Sequence, residues 1–317
     1  MKSLQTRFGP VLFQREQGGA PRIRARGLSG AFFGLGYCHG RDRGLQLRLV
    51  RILARGRASE VFGADDHLIQ LDRYFRRLNL ASDADREYER MRPEVRESVD
   101  AYCEGVNAAY GRHGIPWELR WLGDRDRSDL WTFRDIGLIG SAIGYVTLAE
   151  GQGMVERFVL ECVRNGVPRR LLDELFAPGA LDGLDEALVQ RIRAHEPLMP
   201  EALWDQEGLP VSGGSNNWAV AGHRTARGFP LVANDPHLEV SRVPPFWYDV
   251  ALEWEEPTSG RIRSAAGLTL PGTPGIASGR TTDLAWSITY ACLDAIDSWI
   301  EDCRDGAFRR GDEWVPF

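Results

Sequence analysis

The chain has 317 residues, 43% of them hydrophobic, and a formal net charge of −6. That length suits about two domains with a packed core. The excess of acid gives no footprint for nucleic acid, and no apolar run approaches the length of a membrane span. The N-terminal Met1-Lys2-Ser3-Leu4-Gln5-Thr6-Arg7 lacks the apolar core of a signal peptide, so the chain as written reads as cytoplasmic.

In chain order, Val11-Leu12-Phe13 and Arg22-Ile23-Arg24, flanked by glycines and a proline, predict short strands. Helices are expected to dominate from about residue 38 to 195. Between Arg41 and Arg57 a basic helix buries Leu45, Leu47, Leu49, Val50, Ile52 and Leu53; a solvated face or internal ion pairs account for its arginines better than a nucleic-acid patch does. Pro93 opens another helix, with Val95, Val99, Tyr102, Cys103, Val106 and Tyr110 on one face and Gly111 or Gly114 as its end. Two more are predicted over 132–149 and 154–165, the last stopped by Gly166. From 178 to 214 prolines and acids predominate, as in a linker. After that the texture turns to strands at Trp218–Val220, Leu231–Ala233, Phe246–Leu252 and Leu284–Ile288. Helices followed by strands suit an α+β fold, a sheet flanked by helical layers. The five cysteines, Cys38, Cys103, Cys162, Cys292 and Cys303, are odd in number and form no C-x-x-C pair, so buried thiols are expected rather than a disulfide framework.

The chemistry points to Gly213-Gly214-Ser215-Asn216-Asn217-Trp218. Two glycines before a serine let the backbone take strained geometry beside a hydroxyl. Cleavage of Gly214-Ser215 would give Ser215 a free α-amine, a nucleophile carrying its own base. A flexible loop that happens to hold a serine is the plainer alternative. Other motifs are weak: Gly34-Leu35-Gly36 lacks the later glycine of a dinucleotide loop, Gly27-Leu28-Ser29-Gly30 is one residue short of a nucleophile elbow, and the ten tryptophans are scattered.

Taken with Asn234-Asp235-Pro236-His237-Leu238, Pro271-Gly272-Thr273-Pro274-Gly275, Asp283-Leu284-Ala285-Trp286-Ser287-Ile288-Thr289 and Asp294-Ala295-Ile296-Asp297, the stretch around Ser215 resembles the penicillin acylase family of N-terminal-nucleophile hydrolases. Gly34–Arg43 and Arg55–Glu60 are similar to that family's early helical motifs, and the likeness runs from about Phe8 to Glu301. It implies a four-layer αββα sandwich, with residues 1–177 as an α-subunit region, 178–214 as a spacer peptide and 215–317 as the start of a β-subunit. The products of one precursor would form an α/β heterodimer acting on a small-molecule amide, with no nucleic-acid or membrane partner. Members are often exported, so a periplasmic site is implied if a leader is missing.

The resemblance also implies roles. Ser215 is the self-cleavage residue, with Gly214, and the acylated nucleophile. His237 assists maturation and catalysis, or satisfies a turn after Asp235-Pro236. Tyr290 supplies a backbone N–H to the oxyanion, where the family usually has a smaller residue. The second donor, an asparagine far downstream with an arginine neighbour, is expected beyond Phe317. Asp294, Ile296 and Asp297, with Glu150 from the helical region, are implied calcium ligands, since hard oxygens suit that ion; a solvated acidic turn is the alternative. Leu238 and Pro271 are expected to line the acyl pocket. No organic cofactor is implied. Acyl groups of the aryl-acetyl or glutaryl β-lactam kind and fatty-acyl homoserine lactones are the candidate substrates. His39 is expected to be a structural hydrogen-bonder. Two other functions compete: a non-catalytic or degenerate homologue that serves as a folding or binding unit, and a serine esterase with an internal triad.

Overall fold

The computed structural model describes residues 2–145, 150–176, 179, 181–192, 215–237, 245–289 and 299–316. It divides into two compact units, one of Met1–Ile143 with Met199–Tyr290 and one of Gly144–Leu198 with Ala291–Phe317. The fold is α+β. Its units follow packing, whereas the expected boundaries at 177 and 214 concern precursor cleavage.

In the first unit the chain begins with the strands β1 (Lys2–Thr6), β2 (Gly9–Arg15) and β3 (Pro21–Ala25), an antiparallel meander. Helices α1 (Leu28–Asp42), α2 (Gly44–Ala54), α3 (Ala58–Phe62), α4 (Asp66–Leu78), α5 (Ala84–Arg90), α6 (Pro93–His113), α7 (Trp117–Trp121) and α8 (Phe133–Gly144) follow. The start of α1 at Leu28, ten residues earlier than the sequence suggests, corrects the expectation. Its four glycines hide the helix, because glycine disfavours helix on entropy alone. Packing reverses that preference. A Cβ on Gly36 would stand 2.0 Å from the carbonyl oxygen of Tyr102, and one on Gly105 would stand 2.0 Å from that of Phe33, so α1 and α6 approach backbone to backbone. Helix α6 starts at Pro93 as expected, and Gly114, at φ +77°, takes the position after its end.

The second unit carries α9 (Glu150–Arg164), α10 (Arg169–Leu175) and α11 (Glu186–Arg191), with Val159, Val163, Leu172 and Val189 buried together. Returning to the first unit, the chain forms β4 (Ser215–Val220), β5 (Leu231–Pro236), β6 (Tyr248–Glu255), β7 (Ile262–Thr269), β8 (Ser278–Thr281) and β9 (Ala285–Trp286). The short strands β10 (Cys303–Arg304), β11 (Ala307–Arg310) and β12 (Glu313–Pro316) form a three-stranded sheet in the second unit.

The main sheet runs β1-β2-β3-β6-β7-β8-β9. Its centre is a parallel pairing of β3 with β6, Arg22 to Ala25 against Ala251 to Trp254, so the N-terminal meander and the strands after Ser215 build one sheet. Glu253 accepts from both Arg22 and Arg24 across that junction. Val11, Ile23, Val250 and Leu252 are buried with Ala31, Leu35, Tyr102 and Val106 in one core. The small-residue stretch Arg263–Gly267 gave little strand signal, and β7 is a further correction: it is defined by its ladders to β6 and β8.

The arginines of α2 turn inward. Arg48 is bound by Asp124, and Arg51 and Arg55 by Asp129 and Asp135, which makes internal ion pairs the answer to the basic helix. Cys38 and Cys103 are buried thiols, but Cys303 is exposed; Cys292 lies outside the described residues. No described helix is long and apolar enough to cross a membrane.

His39 is a structural hydrogen-bonder, as expected. Gly272 N–H donates to the Tyr102 hydroxyl (3.0 Å), which donates to His39 Nδ1 (2.8 Å). His39 Nε2–H donates to Thr269 Oγ1 (2.9 Å), which donates to the Tyr248 carbonyl (2.9 Å). The imidazole is fully buried, and burial, aided by the charge of Arg43, lowers its pKa to about 3. Between pH about 6.5 and about 3 the unfolded chain therefore binds a proton that the folded chain refuses. This contribution is complete above that window and falls as pH drops through it, by up to about 1.4 kcal/mol per pH unit. Urea unfolding from pH 7 to pH 4.5 should show a slope shallower by about one proton in His39→Gln than in the wild type; equal slopes would refute the assignment.

Candidate active site around Ser215

Ser215 is the first residue of β4 and is half-buried. The ladder with β5 pairs Ser215 with Pro236, Asn216 with Asp235 and Asn217 with Asn234. Proline has no N–H to give to the Ser215 carbonyl. That carbonyl accepts instead from Thr289 Oγ1 at 3.0 Å, 74 residues along the chain. Ser287 Oγ donates to Asn217 Oδ1 at 2.7 Å. Asn234 Nδ2 donates to the Asn216 carbonyl (3.1 Å) and to the Ile288 carbonyl (2.8 Å). The segment Ser287–Thr289 is thereby fastened along β4. It continues from β9, whose Trp286 Nε1 donates to the Ile276 carbonyl at 3.0 Å. The sequence had suggested a strand over 284–288; the ladder holds only Ala285 and Trp286, and side chains hold the rest.

Among the described residues, nothing donates to the buried Asn234 Oδ1. An amide oxygen in that state costs roughly 1–3 kcal/mol, so the donor end of this side chain alone explains its orientation.

His237 directly follows β5 and is 45% exposed. Its Nε2 lies 3.1 Å from Asp235 Oδ2 and 3.4 Å from Asn216 Nδ2. These contacts demand opposite roles of one nitrogen. With its hydrogen Nε2 donates to Asp235; without it Nε2 accepts from Asn216. Among the described residues no imidazole is hydrogen-bonded to Ser215 Oγ, so His237 stands beside the strand end and not as a triad base.

Pro271 is buried at the turn after β7. The next residue, Gly272, has φ +101°, bonds to Tyr102, and would bring a Cβ to 2.7 Å from Ile139 Cδ1. Pro271 thus sits in a turn wedged against α6 and α8. Gly214, Leu238, Tyr290, Asp294, Ile296 and Asp297 lie outside the described residues, as does the side chain of Glu150, whose backbone begins α9. Among the described residues no group of three or more His, Cys, Asp or Glu side chains could hold a metal ion.

Thr289, Asn234 and Ser287 stood in the quoted motifs but were given no role from the sequence. A polar amide inside the apolar run Leu231–Asn234 was the one available signal, because a lone asparagine in a strand needs a partner.

The geometry agrees with a wider likeness. The sequence profile described as penicillin amidase matches residues 10–317. The chain belongs to the penicillin amidase family. Within that family's wider company, penicillin acylase 2 proenzyme of Pseudomonas sp. (strain SE83) is 31% identical over 97% of this chain and 40% of its own length. The acyl-homoserine lactone acylase QuiP of Pseudomonas aeruginosa is 29% identical over 93% of this chain and 34% of its own length. The penicillin amidase chain described here therefore spans well under half the length of these relatives. A solved thermostable penicillin G acylase from Alcaligenes faecalis aligns with a TM-score of 0.43 at 20% identity, covering 59% of this chain and 94% of that one.

Proposed function

We propose that the protein is an amide-hydrolysing acylase that matures by cutting Gly214-Ser215 and uses Ser215 as an N-terminal nucleophile. The observation that carries this is the hydroxyl of Thr289 on the carbonyl of Ser215, which holds Thr289, the residue before Tyr290 in the chain, at the strand end. An alcohol needs a base within hydrogen-bond reach, and no described imidazole is bonded to this one. The α-amine released by the cut, with an ordinary pKa of about 7.7 to 8.0, is partly neutral near pH 7.5 and meets that need.

Ser215 Oγ attacks the acyl carbonyl as its proton passes to the α-amine. The tetrahedral oxyanion takes the Tyr290 N–H, and the leaving amine collects the proton. Water then attacks the acyl-enzyme by the same route and frees the acid. His237, paired with Asp235, assists the cut and the chemistry. Leu238 and Pro271 border the acyl group. The names of the two relatives, a penicillin acylase proenzyme and an acyl-homoserine lactone acylase, support a penicillin-type or acyl-homoserine lactone amide as substrate, and the first supports maturation from a precursor, which here would leave an α/β heterodimer.

Edman sequencing and intact-mass analysis of active full-length protein test this directly. A new terminus reading Ser-Asn-Asn-Trp is expected, and an active sample holding only the uncut chain would refute it.

Calcium suits the hard oxygens of Asp294, Asp297, Glu150 and the Ile296 carbonyl, where it would tie chain segments without joining the reaction. Chelation should lower the Tm of the purified protein and added calcium should restore it, by about 2.7 kcal/mol at a hundredfold excess over Kd. An unchanged melting curve would exclude the ion.

A further inference from the structure

We propose that Asn234 is a positioning residue for this acyl transfer, fixing the separation between the nucleophile strand and the segment that leads to the oxyanion donor. The proposal rests on the assignment of Ser215 and Tyr290 above. Strand β4 has its backbone ladder with β5, and β9 has its ladder with β8. Along Ser287–Thr289 no described backbone bond reaches β4, so side chains set the spacing. Two of the three ties, Thr289 to Ser215 and Ser287 to Asn217, are single hydroxyls free to rotate. The third is different. One planar NH2 group spans the gap, one hydrogen on the Asn216 carbonyl and the other on the Ile288 carbonyl. Without it both carbonyl oxygens lose this shared donor.

Position matters here because an oxyanion donor acts only when held near 3 Å from where charge develops, and a shift of about 1 Å can cost about a hundredfold. Asn216 follows Ser215, and Ile288 precedes Tyr290 by two residues, so the amide grips both partners close to their working atoms.

The test uses the full-length protein, with Ser215 sites counted by phenylmethylsulfonyl fluoride and turnover read on N-acyl p-nitroanilides. Per titrated site, Asn234→Ala should lose about 10- to 100-fold in kcat with KM changed less than about threefold. Asn234→Asp should lose more, since it sets an oxygen against both carbonyls. Asn234→Ala and Thr289→Val combined should lose less than the product of the single effects, because both hold the same strand. A wild-type kcat per site in Asn234→Ala, or a change in KM alone, would overturn the proposal. If Asn234→Ala is not cut, Asn234→Gln decides, since it keeps the amide but displaces it by a methylene: a kcat loss with KM held supports the spacing role and an unchanged kcat overturns it. An uncut, active wild type would instead fell the assignment of Ser215, and this proposal with it.

Discussion

Ser215→Ala is expected to yield one uncut chain with no amide hydrolysis, a loss of about 10⁴-fold or more in kcat, because one hydroxyl serves both the self-cleavage and the acyl transfer. The same substitution should leave the fold intact. Thr289 bonds the backbone carbonyl of Ser215, which alanine keeps. No described side chain is bonded to Ser215 Oγ, so its removal should cost under about 0.5 kcal/mol. Intact mass, turnover on N-acyl p-nitroanilides and a melting curve read the three parts of this expectation together. Ser215→Cys supplies the contrast, since a thiol can attack the same carbonyl and should still cut. A Ser215→Ala chain that splits at the same bond would remove the serine from the mechanism.

The second large effect is on stability. Asp135 is fully buried and accepts from Thr132 N–H at 2.9 Å and from Arg55 Nη2 at 2.5 Å. It also faces Arg51 Nη1 at 3.7 Å. Arg51 is 1% exposed, and its guanidinium lies 5.3 Å from the ring centre of Trp131. Burial pushes the Arg51 pKa down, and the charges of Asp135 and Asp129 oppose that. Asp135→Ala leaves a buried cation with half its compensation and should destabilise the protein by about 3–5 kcal/mol. Replacing the pair together, as Arg51→Met with Asp135→Leu, removes the charge along with its partner and should cost much less. Denaturant unfolding of the single and double variants separates the outcomes. A single variant within about 1 kcal/mol of wild type would show that solvent already screens the pair.

Local chemistry wrote much of this protein in plain view. Pro93 and the apolar face through Tyr110 set α6, since proline starts a helix without losing a bond and the face has somewhere to go. The arginines spaced along α2 were legible as a solvated face or internal pairs rather than a nucleic-acid patch, because nothing in an acidic chain called for a basic surface, and the structure decided for the pairs. Ser215, preceded by two glycines, was legible as a strand-opening hydroxyl.

What the sequence left hidden depends on partners far away in it. The glycines of α1 look like breakers until α6 lies close enough for only glycine to fit. The small residues of β7 look like loop until two ladders enclose them. Strands β3 and β6 join as neighbours across more than half the chain, a pairing no local pattern encodes because backbone hydrogen bonds carry no address. The same holds at Ser215. Its residue type and its place at a strand start were decided locally, whereas the grip of Thr289 and Asn234 upon its strand arises only when chain closure brings residues 287–289 alongside.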